Sequence, residues 1–96
     1  MLAAVWAAGP AGADERGREI FIDGAADMPA CAICHTLADA GAAGDIGPNL
    51  DKMDLDIARV RIAVHDGVGV MPPFGDSLTA EDIDAVASYV AAVAGQ

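Results

Sequence analysis

The chain has few aromatic side chains, few bases, only two cysteines and no long apolar run, and each shortage narrows what it can be. Trp6, Phe21, Phe74 and Tyr89 are the whole aromatic set. Alanine and glycine take their place, and 96 residues of such small side chains bury little apolar surface in one domain at most. Domains of this size often need a staple such as a metal or a disulfide, and a large flat cofactor would fill a core this thin. Five basic residues against fifteen acidic ones give a net charge of -10. Such a surface repels nucleic-acid phosphates and anionic membranes. It either serves solubility alone or suits partners with a basic docking face. Leu2 to Ala8 (LAAVWAA) is apolar but far short of the about 20 residues that span a bilayer.

That segment is unlike the rest of the chain. Gly9-Pro10 breaks it, and Ala11-Gly12-Ala13 has the small-x-small pattern of a signal-peptidase site. No Lys or Arg precedes Arg16, so the basic start of a secretory signal is missing. Residues 1–13 therefore read as a truncated export signal cut after Ala13. The domain is then 14–96, exported to the periplasm and soluble, with no membrane insertion of the mature chain.

Hydrophobic spacing predicts three helices and long loops. Asp14 to Asp23 opens with acids that suit a helix N-terminus, and places Gly17 and Phe21 on one face. A second helix is expected from Asp54, its N-cap, to about His65, with Gly67 just beyond. Its apolar face would carry Leu55, Ala58 and Ile62, widened by Ile57, Val60 and Val64. Thr79-Ala80-Glu81-Asp82 resembles a capping box before a third run of apolar residues from Ile83 to Ala94, which Gly95 ends. Stretches 24–30, 40–49 and 66–75 are rich in Gly and Pro, and no alternating strand pattern of useful length occurs. The class is all-α, with long loops of the kind that carry function.

The two cysteines are not scattered. Cys31-Ala32-Ile33-Cys34-His35 is a C-x-x-C-H segment, the attachment pattern of a c-type haem. One helical turn brings two thiols to one edge, where they can add across two vinyl groups, and the adjoining imidazole points at the iron. Rival readings are weaker. Structural zinc wants four ligands, and the one other histidine, His65, leaves the set short. A thioredoxin-like pair wants a βαβ setting. A disulfide across so tight a loop would stabilise little.

Five features in order resemble the class I cytochrome c family, over essentially all of 14–96: Gly17 with Phe21, Cys31 to His35, Gly47-Pro48-Asn49-Leu50, Met71-Pro72, and Tyr89 on the last helix. The resemblance implies a few helices around one covalent haem c, with the first and last helices crossing at Gly17 and Phe21 packed near Val86 and Tyr89. It implies the Pro48 carbonyl as acceptor for the second nitrogen of His35, fixing the ring. It also implies Met71 as the sixth iron ligand. The short stretch between Leu50 and Met71 is similar to compact bacterial members. With Trp6 in the removed segment, no indole is left to close off the haem propionates.

The residues themselves leave rivals for the sixth position. Met1 goes with the signal, and Met28 is tethered on the attachment side. Met53 reads as packing, and His65 as a helix-end histidine favoured by the dipole. Met71 lies in a loop (GVGVMPPFG) that its prolines restrain. His with Met saturates iron and raises its potential, which suits a single-electron carrier between periplasmic or membrane-bound redox proteins, and no enzyme. The alternatives are a bound electron-transfer subunit of a larger dehydrogenase, or a haem enzyme or gas or peroxide sensor with a labile Met71. Asp76, Glu81, Asp82 and Asp84, soon after the ligand loop, are the candidate acids for steering a basic partner.

Overall fold

The structure is a computed structural model that describes residues 11–95. Three helices carry it: α1 (Ala11–Asp23), α2 (Ile57–Asp66) and α3 (Ala80–Val93). Between α1 and α2 the chain makes 3-10 turns at Cys31–Ile33, Ala38–Ala40 and Leu50–Lys52. It also makes a two-residue antiparallel pair, β1 (Thr36–Leu37) on β2 (Ala42–Ala43). These strands are too short to show any alternation in sequence, which is why none was readable.

α1 crosses α3 at Gly17. A methyl group there would lie 2.7 Å from Tyr89 Cβ and nearer still to the Ala85 carbonyl oxygen, so only hydrogen fits. The close approach buries Ile20, Phe21 and Val86 almost completely. Phe21 and Tyr89 meet edge to face, with centroids 6.1 Å apart and planes at 65°, a geometry that adds about 0.5–1.5 kcal/mol to simple burial. The Tyr89 hydroxyl donates to Asp39 at 2.5 Å, tying the Ala38–Ala40 turn to α3. Burial, and then that carboxylate, hold the phenol well above its usual range. At the far side of the crossing, two Arg16 N–H groups donate to the Asp82 carboxylate at 3.0 Å each.

The helix bounds differ from expectation in instructive ways. α1 begins at Ala11 rather than Asp14, while most of the expected signal segment lies outside the described residues. α2 begins at Ile57, and its N-cap is Asp56 rather than Asp54: Asp56 Oδ1 accepts from the Arg59 N–H at 2.8 Å. The buried face also differs from expectation. Val60 and Val64 are buried, whereas Ile62 is 62% exposed and Ile57 is also exposed. α3 starts as expected, Thr79 Oγ1 accepting from the Asp82 N–H at 3.1 Å.

After α1 and after α2 the chain repeats one short pattern, Asp-Gly-x-x-x-Met-Pro, at 23–29 and 66–72. Gly24 and Gly67 take φ of 79° and 77°, in the left-handed region that glycine enters freely. Each is followed by an isolated antiparallel bridge, Ala25 with Met28 and Val68 with Met71.

Candidate functional site

A cavity of about 420 Å³ opens between the attachment segment, α2 and the 67–75 loop, with Phe21, Val86 and Val90 of α1 and α3 at its floor. Its lining includes Cys31, Cys34, His35, Pro48 and Met71, so five residues from three separate stretches of sequence meet around one space.

The Cys31–Ile33 turn sets the cysteines. His35 and Cys34 both donate their N–H to the Cys31 carbonyl, at 3.0 and 3.1 Å, which folds the pair into one tight turn. Both thiols are free and half-buried. Burial pushes the Cys31 thiol up to about 11, so at neutral pH it is a thiol and not an activated nucleophile. The turn is clamped from behind by the 44–50 segment. A methyl on Gly44 would come 2.5 Å from the Ile33 carbonyl oxygen, and Gly47 N–H donates to the Cys34 carbonyl at 2.7 Å.

Each residue of Gly47-Pro48-Asn49-Leu50 has a visible task. Gly47 lies flat against the His35 imidazole, where a methyl would stand 2.6 Å from Cε1. Pro48 offers its carbonyl oxygen 2.8 Å from His35 Nδ1. A carbonyl only accepts, so this bond needs the proton on Nδ1 and leaves the Nε2 lone pair available. The Asn49 side chain accepts from the Asp51 N–H at 2.9 Å, capping the next turn, and Leu50 is buried.

The loop bearing Met71 is pinned at both ends. Met71 and Val68 exchange backbone hydrogen bonds of 2.8 and 3.2 Å, with Gly69 at φ 57° between them. Phe74 and Gly75 then donate back to the Val64 and His65 carbonyls at 2.8 and 3.1 Å, folding the loop against the end of α2. Of the other sulfur and imidazole candidates, Met53 also lines the cavity, whereas Met28 and His65 do not. His65 is exposed, with Nδ1 2.8 Å from Asp66 Oδ1 and its ring against Gly75.

Two features escaped the sequence reading. Gly47 was legible only as part of a motif, and nothing in a string of letters marks it as the wall behind an imidazole. Arg59, on the first turn of α2, also lines the cavity. One of two arginines on an amphipathic helix, it looks like ordinary surface charge.

The site fits a haem c. Two thiols sit on one turn, the lining is largely apolar, and the backbone at Gly47 leaves room for an imidazole with one free nitrogen. Comparisons with known proteins agree. A family model described as cytochrome c oxidase, cbb3-type, subunit III, matches residues 12–90. Cytochrome c6 of Microcystis aeruginosa is 39% identical over 79 residues, covering 75% of this chain and 95% of the relative. Cytochrome c6 of Bryopsis maxima is 37% identical over 70 residues, covering 62% and 75%. The crystal structure of the c-type cytochrome SorU from Sinorhizobium meliloti superposes with a TM-score of 0.81 at 50% identity, covering 90% of this chain and 95% of that one. Since sequence match and backbone likeness both extend across the crossed helices and the attachment turn, the chain belongs to the cytochrome c family, in its small class I form with one covalently attached haem c.

Proposed function

We propose that this monohaem electron carrier works between redox proteins of the periplasm, with haem c joined to Cys31 and Cys34 and its iron held between His35 and Met71. The observation that carries the reading is the 2.8 Å bond from His35 Nδ1 to the Pro48 carbonyl, which fixes the tautomer an iron ligand needs. Bound haem supplies a one-electron ferric–ferrous couple. The chain's own part is to keep two ligands still. Gly47 and Pro48 hold the imidazole from behind, and the Val68–Met71 bridge with the Phe74 and Gly75 hydrogen bonds restrains the methionine loop.

A further observation supports a carrier over an enzyme or sensor with a labile Met71: the methionine loop is tied down rather than free. Ile46, Val68 and Val70 stand exposed at the cavity mouth, Val70 by 88%. Apolar surface of that kind supports a docking face for a partner. Two of the four acids expected to steer that partner are engaged elsewhere, Asp82 by Arg16 and Asp84 by Arg61, which leaves Asp76 and Glu81 as the better candidates. Among the described residues no helix is long and apolar enough to cross a membrane. Export rests on the signal-like 1–13 segment alone.

Optical spectra test the ligand pair. The oxidised protein should show the weak red-edge band of sulfur bound to ferric haem, and the reduced protein should bind carbon monoxide poorly. Rapid carbon monoxide binding by the unmodified protein would remove the carrier assignment. Mass spectrometry of protein from the periplasm should find a chain beginning at Asp14.

A further inference from the structure

Charge is distributed unevenly around the cavity. The chain has fifteen acidic residues and five basic ones, yet the described lining contains no Asp or Glu and a single arginine, Arg59. Three other arginines are already paired: Arg16 with Glu19 and Asp82, Arg18 with Asp39, and Arg61 with Asp84. Among the described residues, the Arg59 side chain makes no ion pair or hydrogen bond. Its nearest carboxylate in sequence, Asp56, accepts from the Arg59 backbone N–H instead. Nor does the helix explain the residue. A cation in the first turn of α2 sits at the positive end of the helix dipole, where acids are preferred.

Haem c carries two propionate carboxylates on one edge. An anion placed against a largely apolar wall needs a partner, and a guanidinium offers a planar fork of donors that matches a carboxylate. We propose that Arg59 is the propionate-binding residue of this protein. It takes a role for which the described residues offer no tryptophan, would hold the haem by a propionate carboxylate, and would raise the reduction potential by offsetting that carboxylate's charge. This inference rests on the cavity being the haem site.

The test uses purified holoprotein and redox titration with small mediators. At a fixed ambient potential, Arg59→Gln should move the reduced-to-oxidised ratio about three- to tenfold toward ferric, and tenfold corresponds to 59 mV for one electron. Arg59→Lys keeps the charge without the fork and should recover part of the shift. Arg61→Gln, two residues on and paired with Asp84, should leave the potential unchanged, and all three variants should keep the red-edge band. An unchanged potential in Arg59→Gln overturns the proposal, as does an equal shift in Arg61→Gln, which would make the effect one of general surface charge. Slower electron exchange with a protein partner at an unchanged potential would make Arg59 a docking residue, and the proposal fails. A pyridine haemochrome assay on the unmodified protein checks the haem site separately, so the two failures do not look alike.

Discussion

Helix α1 ends at Asp23 and α2 at Asp66, and the chain leaves each through Asp-Gly-x-x-x-Met-Pro. The first steps are nearly superimposable in description. Gly24 N–H donates to Ile20 and Gly67 N–H to Ala63, both at 2.9 Å. A methyl on either glycine would strike the carbonyl of the methionine that follows, at 2.6 Å for Gly24 and 2.7 Å for Gly67. The turns then differ. Ala26 and Asp27 both take positive φ, 53° and 64°, whereas the second turn uses Gly69 at 57° and returns Val70 to ordinary backbone. The first turn runs directly into the attachment cysteines, and the second is fastened to α2 through Phe74 and Gly75. Met28 packs on the core, and Met71 lines the cavity. Met-Pro after a glycine turn is thus a way of ending a helix. Under the proposed ligation it serves as a ligand position only at Met71, where the methionine lines the cavity.

Exchanging the methionines should break this comparison most sharply. Met71→Ala should lose the red-edge band, lower the potential and admit carbon monoxide, because a soft thioether favours ferrous iron. Met28→Ala should leave the spectrum intact and cost about 1–2 kcal/mol in urea unfolding, at the low end for a core methionine because the side chain is only partly buried. A spectral change in Met28→Ala would contradict the division of labour.

The glycines come next. Gly24→Ala and Gly67→Ala should each destabilise by about 1–2 kcal/mol or more, since both combine positive φ with a carbonyl in the way. Only Gly67→Ala should also disturb the sulfur band. Smaller again, Asp27→Gly should stabilise by about 0.5–1 kcal/mol without altering the potential, because a turn with two left-handed residues prefers glycine second.

The smallest effect concerns acid. The Arg16 guanidinium holds the Asp82 carboxyl below its ordinary range, so the pair contributes above the usual carboxylate pKa of about 3.9 and fades as pH falls through the lowered value. Asp82→Asn should be slightly less stable than the unmodified protein near neutrality. The gap between their urea midpoints should narrow as the medium is acidified below the ordinary carboxylate range. As the pair is only partly buried, a constant gap through that acidification would mean that it contributes nothing.

What was legible beforehand follows from how much chemistry a residue type carries. Cys31, Cys34 and His35 announce themselves because few arrangements use two thiols and an imidazole at that spacing. Thr79 marks the start of α3 because a hydroxyl before two acids has one common use there. Asp54 and Asp56 show the opposite case. Either aspartate can cap a helix, and only the structure shows that Asp56 does so, its carboxylate accepting from the Arg59 N–H. The residues between helices were the least readable. Their turns depend on single φ angles and on distant carbonyls, and neither leaves a period in the sequence.

The crossing at Gly17 has a consequence for the order of events as the protein is made. The partners of Gly17 are Ala85 and Tyr89, near the opposite end of the sequence. A contact of such long separation closes late, because the entropy of a large loop must be overcome before the contact contributes anything. Until α3 is in place, Gly17 and Phe21 lack their main partners and the cavity lacks the part of its floor that Val86 and Val90 supply, so the last helix closes the core rather than founding it.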